Sequence, residues 1–176
     1  ASIFAKYDLL NDFIKTRLPF LMLWDGKVGQ ALGLARSAGD HLSLIYLNSR
    51  AGKFDVALAE SEKAIQEALA KGSFSGQAEA LQMRGLAELA SGNVSAAERT
   101  AEALESCVAE APNRRLAGLY HFLSGMIESE AGRFAQAADD LRKAIELQPA
   151  ESWAEEGYPC RPHPHDGLAA VYFRSG

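Results

Sequence analysis

Ala51-Gly52-Lys53-Phe54-Asp55-Val56-Ala57-Leu58 decides how this chain folds, because the chain writes it three times. It returns as Ser91-Gly92-Asn93-Val94-Ser95-Ala96-Ala97-Glu98 and as Ala131-Gly132-Arg133-Phe134-Ala135-Gln136-Ala137-Ala138. The shared frame is a small residue, Gly, a polar residue, an apolar residue, two variable residues and Ala. Gly52, Gly92 and Gly132 lie 40 residues apart. Self-similarity at such a period is the signature of a stacked array of small units.

A helical pattern precedes each Gly and another follows it. Gly at a helix end takes the left-handed conformation that other residues resist, so each copy is expected to turn the chain from one helix into the next. The Phe or Val then fills the gap between the two helices. The Ala sits where they press together, since a larger side chain would hold the backbones apart.

Laid out this way, the copies resemble the tetratricopeptide repeat family, whose unit is about 34 residues. The family's mid-repeat Gly falls on Gly52, Gly92 and Gly132, and its second-helix Ala on Ala57, Ala97 and Ala137. Its small first-helix residue falls on Gly85 and Gly125, with the larger Ile45 in the first copy. The later small residue falls on Ala64 and Ala144, with Leu104 between them, and the closing Pro on Pro149 alone. The family's early Trp is replaced by His41, Leu81 and His121. The resemblance covers residues 38 to 150 and implies an all-α fold, a right-handed solenoid of antiparallel helix hairpins. The longer period predicts second helices about one turn too long in the first two copies.

The elements expected are Asp40 to Ala51 with Phe54 to Lys71, Gln77 to Ser91 with Val94 to Ala111, and Arg114 to Ala131 with Phe134 to Leu147. Residues 40–150 thus hold three pairs. Residues 1–39 form an N-terminal helical segment. Ile3, Phe4, Tyr7, Leu10, Phe13 and Ile14 are spaced for an amphipathic helix over 2–17. Asp25-Gly26-Lys27-Val28, with Ala31, repeats the turn frame in a degenerate, shortened copy. Residues 151–176 begin with a Pro-rich insertion loop around Gly157 to His165, where regular helix is not expected. Leu168 to Ser175 then reads as the first helix of a truncated further copy, ending at Gly176.

A formal charge of −5 and the lack of a Lys/Arg block argue against a nucleic-acid partner. No run of 18 apolar residues offers a membrane span. No secretory leader is visible, so a cytoplasmic setting and reduced Cys107 and Cys160 are expected. Cys160-x-x-His163-x-His165 supplies three zinc-type ligands, one short of a structural site, and an insertion loop explains it without metal. His41, His121 and His165 share one place in the repeat. Neighbouring equivalent helices stand about 10 Å apart. His41 and His121 are two copies apart and cannot share a ligand. Glu128 with Glu130, and Asp139 with Asp140, are too close in sequence to face each other on a helix. No catalytic, cofactor or metal site is expected, and no enzyme.

The resemblance also implies a concave groove lined by the first helices. Its inward positions fall on Leu42, Tyr46, Ser49 and Arg50, on Glu79, Gln82, Leu86 and Leu89, and on Leu119, Phe122, Met126 and Ser129. The Lys and Asn with which some relatives clamp a C-terminal carboxylate are absent. The binding strip expected here is Leu42, Tyr46, Arg50, Gln82, Leu86, Leu89, Phe122 and Met126. Such a strip suits an amphipathic helix or apolar peptide of a partner protein. It equally suits more of this protein, such as Phe4 to Phe13. The expected function is a non-catalytic interaction scaffold within a larger protein of bacterial type. The alternative is a structural self-assembly module whose exposed ends join copies into a homo-oligomer.

Overall fold

The computed structural model describes residues 22, 25–111, 113–147 and 163–176, and every regular element among them is helical. In chain order these are α1 (Val28–Ala38), α2 (His41–Arg50), α3 (Phe54–Ala70), α4 (Phe74–Ala90) and α5 (Val94–Glu110). A short 3-10 turn (Arg114–Leu116), α6 (Ala117–Glu130), α7 (Phe134–Leu147) and α8 (Pro164–Ser175) complete them. The segment expected as helix at 2–17, the boundary at Pro112, Pro149 and the loop as far as Pro162 lie outside the described residues.

The turns are built as the repeated frame requires. Gly52, Gly92 and Gly132 all have positive φ, at 70°, 82° and 76°. The residue after each donates its N–H back to the helix it leaves: Lys53 to the carbonyl of Asn48, Asn93 to Glu88 and Arg133 to Glu128, at 2.8–2.9 Å. This closes orphan carbonyls at the helix end. Gly26 makes the same turn at φ 72°, where Lys27 donates to Met22 at 2.7 Å. Short polar side chains cap α4 and α5, while α1 and α3, which start after Lys27 and Lys53, have no side-chain cap. Asn93 Oδ1 accepts from Ala96 N–H at 3.1 Å and Ser73 Oγ from Gly76 N–H at 3.1 Å. Each such cap is worth about 1 kcal/mol.

Three boundaries differ from expectation. α4 starts at Phe74 rather than Gln77, because Ser73 caps it and Gly76 fits the first turn against the Ala68 side chain. The helix expected from Arg114 opens as a 3-10 turn and becomes α at Ala117. α8 starts at Pro164, ahead of Leu168, since Pro is tolerated in a first turn where its missing N–H has no role. The second helices follow the period: α3 and α5 have 17 residues and α7 has 14.

Consecutive helices pack against one another along the whole series. Alternate helices also touch, so that α2, α4, α6 and α8 form a continuous row. The frame alanines Ala57, Ala97 and Ala137 are fully buried at 0% exposure. Close approach is set by Gly85 and Gly125. A Cβ on Gly85 would stand 2.5 Å from Leu123 Cδ2, and one on Gly125 would stand 2.7 Å from Leu141 Cγ. One core runs through α2 to α6 around Ile45, Leu81, Leu104 and Leu123. A second joins α6, α7 and α8 around Phe122, Leu141 and Val171.

Polar side chains tie these pairs together. His41 Nδ1 lies 2.7 Å from Glu60 Oε2, and His121 Nδ1 lies 2.8 Å from Asp140 Oδ1. Both join a first helix to the helix that follows it. In the middle copy, buried Glu88 accepts from Thr100 at 2.7 Å and from Arg84 at 3.0 Å. Burial works against the Glu60 carboxylate, but hydrogen bonds from Lys63 and His41 outweigh it and hold its pKa below the ordinary 4.5. A depressed carboxylate stabilises the fold above its unfolded value and loses that contribution as pH falls through the folded value. Glu60→Gln should therefore flatten the stability profile below about pH 4.5. Urea midpoints across pH 3–7 check this, and parallel acid limbs for parent and variant would refute it.

Candidate interaction cleft

The repeat brings residues of equal register side by side on the α2–α4–α6 row. Tyr46, Leu86 and Met126 occupy one register position, and Arg50, Ala90 and Glu130 another one turn later. Together with Ser49, Met83, Ala87 and Leu89 they line a cleft of about 410 Å³. Its walls are mostly apolar, with Arg50 and Glu130 at its rim.

Five of the eight residues expected in the binding strip meet here: Tyr46, Arg50, Leu86, Leu89 and Met126. The other three, Leu42, Gln82 and Phe122, share the register one turn earlier. There the row closes up. Gln82 is 5% exposed and Phe122 2%, so both are interior side chains. Leu42 borders a separate depression of about 260 Å³ with Asp40, His41, Glu67 and Lys71. Of the wider inward set, Leu119 and Ser129 are also buried. Met83, Ala87, Ala90 and Glu130 belong to the cleft and were not anticipated. Met83 lies one turn before Leu86 on the same face, and Glu130 stands 80 residues after Arg50, so the period pointed to both.

The two rim charges differ in their commitments. Glu130 accepts from Arg174 of α8 at 2.8 Å, and Arg174 also donates to Ser129 at 3.2 Å. Arg50 is exposed, and its guanidinium has no ion pair or hydrogen bond among the described residues.

Other candidate groups are engaged elsewhere. Glu128 is paired with Arg133, Asp139 with Arg142, and Asp140 with His121 and Ser124. Glu128 and Glu130, and likewise Asp139 and Asp140, thus take different partners. Buried Cys107 donates to the carbonyl of Phe74 at 3.8 Å. Burial, then the nearby Glu110, pushes its thiol up, away from thiolate reactivity. His163 and His165 stack at 5.0 Å, while Cys160 lies outside the described residues. Among the described residues, no group of three or more His, Cys, Asp or Glu side chains converges as a metal site. No described helix is long and apolar enough to cross a membrane.

Comparison with protein-family models, with curated proteins and with solved structures gives no match for this chain.

Proposed function

We propose that this chain is a non-catalytic interaction scaffold that seats a segment of a partner protein in the α2–α4–α6 cleft. The observation that carries this reading is the convergence of Tyr46, Leu86 and Met126, one from each copy, on a single apolar hollow. A volume of about 410 Å³ lies within the roughly 300–1,000 Å³ of ordinary binding pockets. A concave, mostly apolar hollow with a few polar groups at its edge is the ordinary form of a binding site. The reading takes the array to be of tetratricopeptide type, a right-handed solenoid of antiparallel hairpins. The 40-residue period, the left-handed glycines and the row of alternate helices support it.

Leu86→Glu places a charge in the cleft; because half-buried Leu86 also packs against both neighbouring cores, capture is run at a temperature where circular dichroism shows the variant folded. Affinity capture from the source cell should recover a partner with the parent chain and lose it with this variant. Equal recovery by both would place the binding surface elsewhere.

A second reading, self-assembly, has its own observation. Phe173 on α8 is 90% exposed, with Tyr172 half exposed beside it. Sedimentation over a wide concentration range separates the two. A steady monomer favours the scaffold, and dimers weakened by Phe173→Ser favour assembly.

A further inference from the structure

We infer that the occupant of the cleft is an amphipathic helix of a partner protein, carrying large apolar side chains on one face and an Asp or Glu side chain at the end that meets Arg50. This rests on the cleft reading above and adds the partner's form and its charge.

The walls decide the form. They are helices whose main-chain groups are spent within themselves, so the cleft offers side chains only. An extended segment would bring unpaired N–H and C=O groups into an apolar hollow, and each would cost free energy. A helix arrives with those groups satisfied. The cleft crosses three helices spaced about 8–10 Å apart, a span of roughly 20 Å. That matches about 13 residues of helix at 1.5 Å each. Half-buried Met126, with buried Met83 beside it in the lining, gives the cleft an adaptable surface that suits aliphatic or aromatic knobs.

The rim decides the charge. Glu130 already has its cation in Arg174, so it asks nothing of an occupant. Arg50 stands at the opposite end of the same register row with no partner among the described residues. Its planar fork matches a carboxylate in two parallel hydrogen bonds. An occupant with Lys or Arg at that end would meet like charge. One with Asp or Glu gains a pair beside apolar surface, where screening by water is reduced.

The test uses a phage-displayed library of random 15-residue peptides, selected against the full chain. The best enriched peptide is then made synthetically and titrated against the parent, Arg50→Glu and Leu86→Glu. Circular dichroism confirms that each variant is helical. Enriched peptides should carry apolar residues at i, i+3 or i+4, and i+7, with an acidic residue toward one end. Binding should fall about tenfold or more in Arg50→Glu, a loss of at least about 1.4 kcal/mol. Replacing the peptide's acidic residue by Lys should restore binding to Arg50→Glu and weaken it to the parent. Peptides with no acidic preference, or with affinity unchanged by Arg50→Glu but abolished by Leu86→Glu, would overturn this inference and leave the cleft reading standing. Binding that survives Leu86→Glu, or no enrichment at all, would overturn both.

Discussion

Gly125→Leu lowers the free energy of unfolding by about 3 kcal/mol or more, the upper end of what overpacking costs. Gly125 lies where α6 meets α7. Even a Cβ there would stand 2.7 Å from Leu141 Cγ and 3.1 Å from the carbonyl oxygen of Ala137. Leu141 is fully buried and Ala137 O belongs to the helix backbone, so neither can step aside cheaply. The helices must separate, and the core joining Phe122, Leu141 and Val171 opens with them. Urea unfolding measures the loss. A cycle of Gly125→Ala with Leu141→Ala isolates its cause, because a smaller side chain at 141 relieves the clash. The Gly125→Ala cost should therefore shrink in the Leu141→Ala background. Strict additivity would mean that the contact with Leu141 is not what Gly125 protects.

Phe122→Ala costs about 3–5 kcal/mol of stability, the range for an aromatic side chain removed from a core. Its ring is 2% exposed and packs with Ala137, Ala138, Leu141 and Val171. The cavity left behind is interior, in the cluster of α6, α7 and α8 against which the cleft residues Leu86 and Met126 pack from outside. Partner affinity, measured at a temperature where the variant is folded, should change by less than about threefold, under 0.7 kcal/mol. A loss of affinity with little loss of stability would put Phe122 in the binding surface and contradict its burial.

These two positions show what the sequence could and could not carry. Gly125 was legible. The period set it opposite Ala137, and a small residue there has one evident use, close approach. Phe122 was not, because the period gives every first helix the same inward face without saying which turn of that face stays open. Positions 42, 82 and 122 and positions 46, 86 and 126 look alike as registers. The opening depends on how far the stacked helices lean apart, and that is a property of packing across copies. The turns were legible for the opposite reason, since positive φ at Gly52, Gly92 and Gly132 is a local demand on one residue. The start of α4 was lost to composition. Gly72, Ser73, Ser75 and Gly76 read as loop, yet Ser73 serves as a cap and Gly76 as a contact with Ala68. His41 and His121 were read as stand-ins for a packing Trp. Each instead lies within hydrogen-bond distance of an acidic side chain 19 residues on. That spacing was in the sequence, but its meaning required knowing that the two helices lie in contact.

The central claim is that the α2–α4–α6 cleft holds the partner segment, and the methionines report on it directly. The chain has three: Met83 and Met126 line the cleft, while Met22 packs with the cluster of α1 and α2 around Leu32 and Leu47. Methyl-labelled methionine gives three NMR signals, assigned by single Met→Leu variants. On titration with a captured partner or an enriched peptide, the signals of Met83 and Met126 should move together along one saturation curve and that of Met22 should stay. A partner that saturates the chain while Met83 and Met126 remain unshifted would contradict the account.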